Sequence, residues 1–197
     1  GGKGDGYADL MDSVALTTDR LVLRAPSETD IDAITDACQD PEIARWTTVP
    51  SPYAREDAEE FIRLVAGWWA DGSETVWGIY ADGELVGMIG LHHIQEHAAG
   101  GHAELGYWVT ASARGNGYLV EAARAVIDWA FSELGLARLR WQAVVGNVAS
   151  ARAARALGFR YEGLQRQALT SARGRDDGWM AGLLPDDDRT PVDWPVP

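Results

Sequence analysis

Cysteine is nearly missing. Cys38 is the only one in 197 residues, so no disulfide can close within the chain and a four-cysteine zinc site is excluded. A reducing, cytoplasmic setting is the expectation. No apolar run approaches the roughly 18 to 20 residues that cross a bilayer, and the polar, glycine-rich start over 1–6 is unlike a signal peptide. A soluble protein with no membrane partner is expected. That start, which lacks an initiator Met, reads as a cloning remnant or a disordered lead over 1–16 and is set aside from fold reasoning. Gly-x-x-x-x-Gly-Lys-Ser/Thr is absent, which excludes a P-loop nucleotidase. His-Glu-x-x-His is absent too. His92, His93, His97 and His102 crowd together, but two are adjacent on a strand, so solvated loop histidines and no metal are expected. Basic residues are scarce at 17 against 30 acids, a net charge of −13 that argues against a nucleic-acid partner.

What remains is enough for a core: 46% of the residues are hydrophobic, and the length fits one domain, expected over 17–184. The charge is uneven. Residues 1–110 hold 6 basic groups against 20 acids, 111–175 hold 10 arginines against 4 acids, and 176–197 hold 1 against 6. A basic segment inside an acidic protein suits an anionic ligand docked there and a cationic one approaching elsewhere, although solvated helix faces account for part of it.

Leu21-Val22-Leu23-Arg24 reads as a strand, and Ser27 as the N-cap of a helix through Cys38. Pro41 interrupts, leaving the segment around Trp46 as a candidate lid loop. Ala58, Phe61, Ile62, Val65 and Trp69 fall at helical spacing over 55–70. A hairpin turning at Asp82-Gly83 follows, then a strand over 103–110, a helix over 120–133, a strand over 139–145, a helix over 148–157 and two closing strands. The proline-rich end, 185–197, is expected to be a loosely held tail. Most of the nine tryptophans belong to core; Trp46, Trp68 and Trp108 flank the expected cleft.

Between a strand and a helix lies Arg114-Gly115-Asn116-Gly117-Tyr118-Leu119. Two glycines let the backbone turn with its N–H groups inward, and the helix adds the positive end of its dipole, so an anionic group is expected there. A dinucleotide-binding turn is the competing reading. Its third glycine is Val120 here, and the next strand ends in Val144-Val145-Gly146 without an acid for a ribose.

Further along come Asn147-Val148-Ala149-Ser150 and Leu157-Gly158-Phe159-Arg160-Tyr161-Glu162-Gly163. With the glycine turn and the opening Thr18-Asp19-Arg20-Leu21-Val22-Leu23-Arg24, these resemble the GCN5-related N-acetyltransferase (GNAT) superfamily. Within it they look like the ribosomal-protein N-terminal acetyltransferase branch typified by RimJ and RimL. The resemblance covers roughly 20–184, and departs from the superfamily frame at Leu119, which stands where a small residue is usual.

It implies an α/β acyl-CoA N-acyltransferase fold with a mixed, mostly antiparallel sheet flanked by helices. It also implies transfer of acetyl from acetyl-CoA to a primary amine, a peptide N-terminus or a small molecule. Glu104, an acid within an apolar strand, matches the family's general base, while a structural hydrogen-bonding role stays open. Ser150 matches the acid that protonates the departing thiolate, against a helix-start role; Tyr107, Tyr118 and Tyr161 stay open for the same step. Asn147 would hold pantetheine or order its helix, and a backbone N–H near Trp108 or Val109 would polarise the thioester. Trp46 and Trp68 are the acceptor-side candidates. Cys38 reads as core, without a neighbouring base. The rival functions are a CoA-binding regulatory module, or transfer of a bulkier acyl group such as succinyl; a homodimer is expected by analogy.

Overall fold

A computed structural model describes residues 12–197. The expected disordered lead lies outside them up to residue 11. From Val14 onward the chain is engaged: the Trp77 indole donates to the Val14 carbonyl at 2.6 Å, and β1 (Leu16–Thr17) pairs with β2 (Leu21–Arg24). The expected lead therefore ran too far, because a two-residue strand is too short to show alternation.

A 3-10 turn, Glu28–Asp30, leads into α1 (Ile31–Ala37), with the Asp30 carboxylate accepting the Ser27 N–H at 2.8 Å. Pro41 then starts an element instead of interrupting one. α2 (Pro41–Trp46) has Asp40 as its N-cap, accepting the Glu42 N–H at 3.0 Å, and Pro41 in the first turn, where no backbone donor is needed. The expected lid loop around Trp46 is thus the last turn of a short helix. α3 (Arg55–Asp71) ends at Gly72, whose φ of 75° closes the helix. β3 (Thr75–Ala81), β4 (Glu84–Gln95) and β5 (His102–Val109) continue the meander, followed by α4 (Tyr118–Ser132), β6 (Arg138–Val144), α5 (Val148–Ala156), β7 (Arg160–Ser171) and β8 (Gly174–Leu183).

The eight strands form one sheet in the order β1-β2-β3-β4-β5-β6-β8-β7. Every neighbouring pair is antiparallel except β5 and β6, which run parallel for three rungs, His102↔Arg138 to Glu104↔Arg140, and then part. α4 is the crossover that this parallel step requires. The core is densest on the other half of the sheet: β3 is buried along its length, and Trp69, Trp77 and Trp129 meet edge to face where α3, β3 and α4 converge. Trp77, Trp141 and Phe159 are fully buried, and truncating one of them to Ala costs about 3–5 kcal/mol. Among the described residues no helix is long and apolar enough to cross a membrane.

The end of the chain is not loose. Trp194 is buried, its indole donates to the Phe159 carbonyl at 3.0 Å, and Arg189 pairs with Asp128 at 2.6 Å. Proline content misled the sequence reading, because a single aromatic anchor outweighs it.

Candidate active site

Where β5 and β6 part, a cavity of about 1150 Å³ opens. Beyond Glu104↔Arg140 the β6-facing side of β5 has no strand partner. Thr110 N–H donates to Val86, so the ladder bonds toward β4 fall on alternate residues, and Val109 turns its backbone groups to the open side. Its carbonyl there accepts Arg114 Nη2 at 3.2 Å.

At one end stands the glycine turn. Gly115 and Gly117 have φ of 83° and 74°, and Gly117 is the N-cap of α4. The first backbone bond of the helix runs from Glu121 N–H to Gly117, so the N–H groups of Gly117, Tyr118, Leu119 and Val120 come before it and have no partner within the helix. Four consecutive free donors at a helix start suit a pyrophosphate. A Cβ on Gly115 would meet nothing, so the turn is open on its outer side. Glu121, the acid that would repel an anion, is covered by Thr18 Oγ1 at 2.5 Å and Arg20 Nε at 2.8 Å, and the Arg20 guanidinium lies 4.8 Å from the Tyr118 ring centre. Arg114 is engaged with Asp40 at 2.6 Å. Asn116 does not face the cavity: its amide donates to the Ala113 carbonyl at 2.8 Å and closes the turn from behind.

Trp46, Trp68, Glu104, Trp108, Val109, Arg114, Gly115, Gly117, Tyr118, Leu119, Asn147 and Ser150 all line the one cavity. Glu104 is 9% exposed, and its Oε1 has no partner among the described residues. Burial pushes its carboxyl above the ordinary range, opposed by Arg140, His92 and His93 and reinforced by Glu74. His92 sits opposite Glu104 in the β4–β5 register, and its Nδ1 lies 3.0 Å from Glu74 Oε1. These histidines correct the sequence reading. His92 and His93 belong to β4 and line the cavity; His92 does so in regular register opposite Glu104, and the strand turns irregular only after it, with His93 at φ 51°. His97 alone behaves as a loop residue, its Nδ1 accepting the Ala99 N–H at 2.9 Å.

Deeper in, the Trp141 indole donates to Tyr107 Oη and Ser150 Oγ, both at 3.1 Å, and Ser150 Oγ donates to Tyr107 Oη at 3.2 Å. Tyr107 Oη in turn donates to the Ser150 carbonyl at 3.0 Å. Burial pushes the Tyr107 phenol up to about 12, against the lowering effect of those bonds from Ser150 and Trp141. Asn147 is the N-cap of α5, its side chain accepting the Ser150 N–H at 3.3 Å, so the helix-ordering option holds for Asn147 while Ser150 Oγ faces Tyr107. Tyr161, by contrast, packs on Trp194 and does not line the cavity.

The sequence reading set Trp46 at the cleft but missed what holds it there and what stands beside it. Arg173, in the β7–β8 turn, donates to the Ala44 and Thr47 carbonyls at 2.5 and 3.2 Å and so holds the end of α2 over the cavity. Trp46 lies against Gly146 there, and Tyr53 and Phe61 line the same end. No local pattern announces a contact between residues 44 and 173; only the paired arginines of that hairpin hint at it. Cys38 is buried beside Tyr53, and burial pushes its thiol up to about 12, which leaves it inert core.

Residues 20–160 match the acetyltransferase (GNAT) domain family. The Bacillus subtilis protein named "Uncharacterized N-acetyltransferase YoaA" is 33% identical over 157 residues, 78% of this chain and 87% of that one. Another from the same organism, "Putative ribosomal N-acetyltransferase YdaF", is 38% identical over 109 residues, 54% of this chain and 58% of that one. Among solved structures, Mycobacterium smegmatis RimJ in complex with CoA-disulfide superposes with a TM-score of 0.79 at 22% identity, covering 88% of this chain and 87% of that one.

Proposed function

The chain belongs to the GNAT acetyltransferase family, and from that premise we propose that it moves acetyl from acetyl-CoA to a primary amine by direct attack within a ternary complex. One observation carries the reading: a single cavity joins the four free backbone donors at the start of α4 to a buried carboxyl with a free oxygen.

Gly117 to Val120 hold the pyrophosphate through backbone N–H groups, with Arg114 and Gly115 beside them and Tyr118 and Leu119 against the cofactor; Asn147 orders the helix that carries Ser150. Acetyl-CoA, when bound, supplies the thioester carbonyl. Val109 N–H is the donor aimed at that carbonyl oxygen, preferred over Trp108 because its backbone faces the open side. Glu104 takes one proton from the acceptor's ammonium, which frees the lone pair that attacks. The N–C bond forms as the C–S bond breaks. Ser150 Oγ–H turns from Tyr107 Oη to the thiolate, gives it a hydrogen bond and then its proton, and the second amine proton restores the hydroxyl through water. Tyr107, whose own proton goes to the Ser150 carbonyl, accepts from Ser150 Oγ and from Trp141 and so holds the serine hydroxyl in place.

The acceptor we favour is a peptide N-terminus. The name of YdaF and the branch resemblance point that way, and a cavity walled by Trp46, Phe61 and Trp68 has room for the residues that follow the amine. The test measures CoA release from acetyl-CoA over peptides with different first residues and over small amines, with succinyl-CoA as the alternative donor. Turnover on at least one peptide is expected. Tight CoA binding without turnover on any amine overturns the reading in favour of a regulatory module, and a preference for succinyl-CoA overturns the acetyl assignment.

A further inference from the structure

Trp194 lies beyond the span that matches the family, on a segment that wraps back over the rear of the cleft. Its ring stands between Trp141, 5.4 Å centre to centre at 55°, and Tyr161, 5.8 Å at 44°. The approach is fixed at several points. Asp187 pairs with Arg160 at 3.5 Å and accepts the Leu184 N–H at 2.9 Å, and Arg189 pairs with Asp128. The Arg189 backbone crosses so close over Gly158, at φ 93°, that any Cβ there would collide with it. The Trp194 N–H is anchored on the Phe159 carbonyl.

Trp141 is what this segment supports. It sits on β6 one residue after the last rung shared with β5, so no strand partner clamps it on that side. Its indole N–H is shared between Tyr107 Oη and Ser150 Oγ. A bifurcated donor tolerates little tilt, since small rotation favours one acceptor over the other. We propose that Trp194 is a positioning residue for acyl transfer: it backs the Trp141 indole and thereby fixes the Tyr107–Ser150 hydroxyl pair in the orientation that serves the departing thiolate. This rests on the proposed role of that pair. It makes the segment over 185–197 part of the site without touching a substrate.

The experiment uses the whole chain and two readouts. Trp194→Ala is expected to lower kcat about 10-fold while KM for acetyl-CoA stays within about 2-fold, because misplacement acts on chemistry and not on the distant cradle. Trp194→Phe, which keeps an aromatic face on Trp141 and loses only the bond to Phe159, is expected to recover kcat to within about 3-fold of wild type. In a Tyr107→Phe background Trp194→Ala should cost less than about 2-fold more, since both act through one hydroxyl pair. The second readout is the Trp141 Nε1–H resonance in 15N-labelled protein, assigned with Trp141→Phe. It should shift in Trp194→Ala and stay in place in Trp194→Phe. Should Trp194→Ala not fold, Trp194→Leu enters the same comparison. An unmoved resonance, fully additive losses, or a KM rise with kcat unchanged overturns the proposal. Tyr107→Phe and Ser150→Ala both at wild-type kcat would sink the proton-donor role instead, and the resonance then decides the positioning by itself.

Discussion

The two ends of the cleft are made of different material. At the start of α4 the recognition surface is main chain: N–H groups released by two left-handed glycines, with the one side chain from that stretch that points elsewhere, Asn116, merely closing the turn. At the other end the surface is side chain: Glu104 with its free oxygen, the His92–Glu74 pair, and Trp46, Phe61 and Trp68 on helices that reach over the opening. Main-chain recognition depends on φ and ψ and tolerates many residues; side-chain recognition depends on which residue stands where. So one end can keep its ligand while the other changes acceptor.

Substitutions can break that contrast, and the largest effect belongs to the side-chain end. Glu104→Gln is expected to lower kcat about 100-fold or more, the range of a lost general base, with CoA affinity measured by calorimetry unchanged. In wild type the rising limb of kcat/KM against pH should lie above the ordinary carboxylate value of about 4.3, since burial raises the Glu104 carboxyl. The same shift acts on stability with a definite sign. A carboxyl raised in the folded state binds more protons folded than unfolded, so its favourable contribution is present below the unfolded value and is lost as pH climbs through the folded one. Glu104→Gln should therefore unfold at a higher temperature than wild type at pH 7 and lose that advantage near pH 4. A Tm below wild type at pH 7 would mean that the carboxylate is satisfied after all.

The main-chain end is tested next. Gly117→Glu should weaken CoA binding about 30-fold, combining repulsion of the phosphates with the roughly 1–2 kcal/mol that a non-glycine residue incurs at a left-handed φ. Leu119→Ala, by contrast, should leave CoA affinity within about 2-fold, because the donor is its N–H and not its side chain. A large loss there would show that this end reads side chains too. Trp46→Ala should raise acceptor KM about 5-fold with the acetyl-CoA KM unmoved, as expected of an aromatic wall on the acceptor side alone. The smallest change is reserved for Asp40→Asn. It unhooks α2 from Arg114, but the arginine is 43% exposed, so the pair contributes less than about 1 kcal/mol and Tm should fall by no more than about 3 °C.

The same contrast explains what could be read from sequence. A left-handed turn before a helix needs glycine at fixed places, so the cradle shows itself as Gly115-x-Gly117 between two periodic segments. The βαβ step and the hairpin at Asp82-Gly83 were legible for similar reasons. Long-range features were not. His92 reaches the cleft because its register sets it opposite Glu104, α2 is held over the cavity by Arg173 across 126 or more residues, and Trp194 docks on Trp141 from the far end of the chain. Each depends on register or on a meeting of distant segments, which hydrophobic periodicity does not encode. Pro41 failed for a narrower reason: proline breaks a helix interior and opens a helix first turn, and only the neighbouring Asp40 distinguishes the two.

The strand order holds one more consequence, in time instead of space. β8 lies inside the sheet, between β6 and β7, yet follows β7 in the chain. β7 has no sheet to join until β8 exists, so the wall beyond β6 is laid by a hairpin docking as a unit, inner strand last made. Until residues 174–183 are made, β6 keeps an open edge on the side away from β5 and β7 stays without a partner. That edge of the sheet therefore closes only when the last strand of the chain is in place.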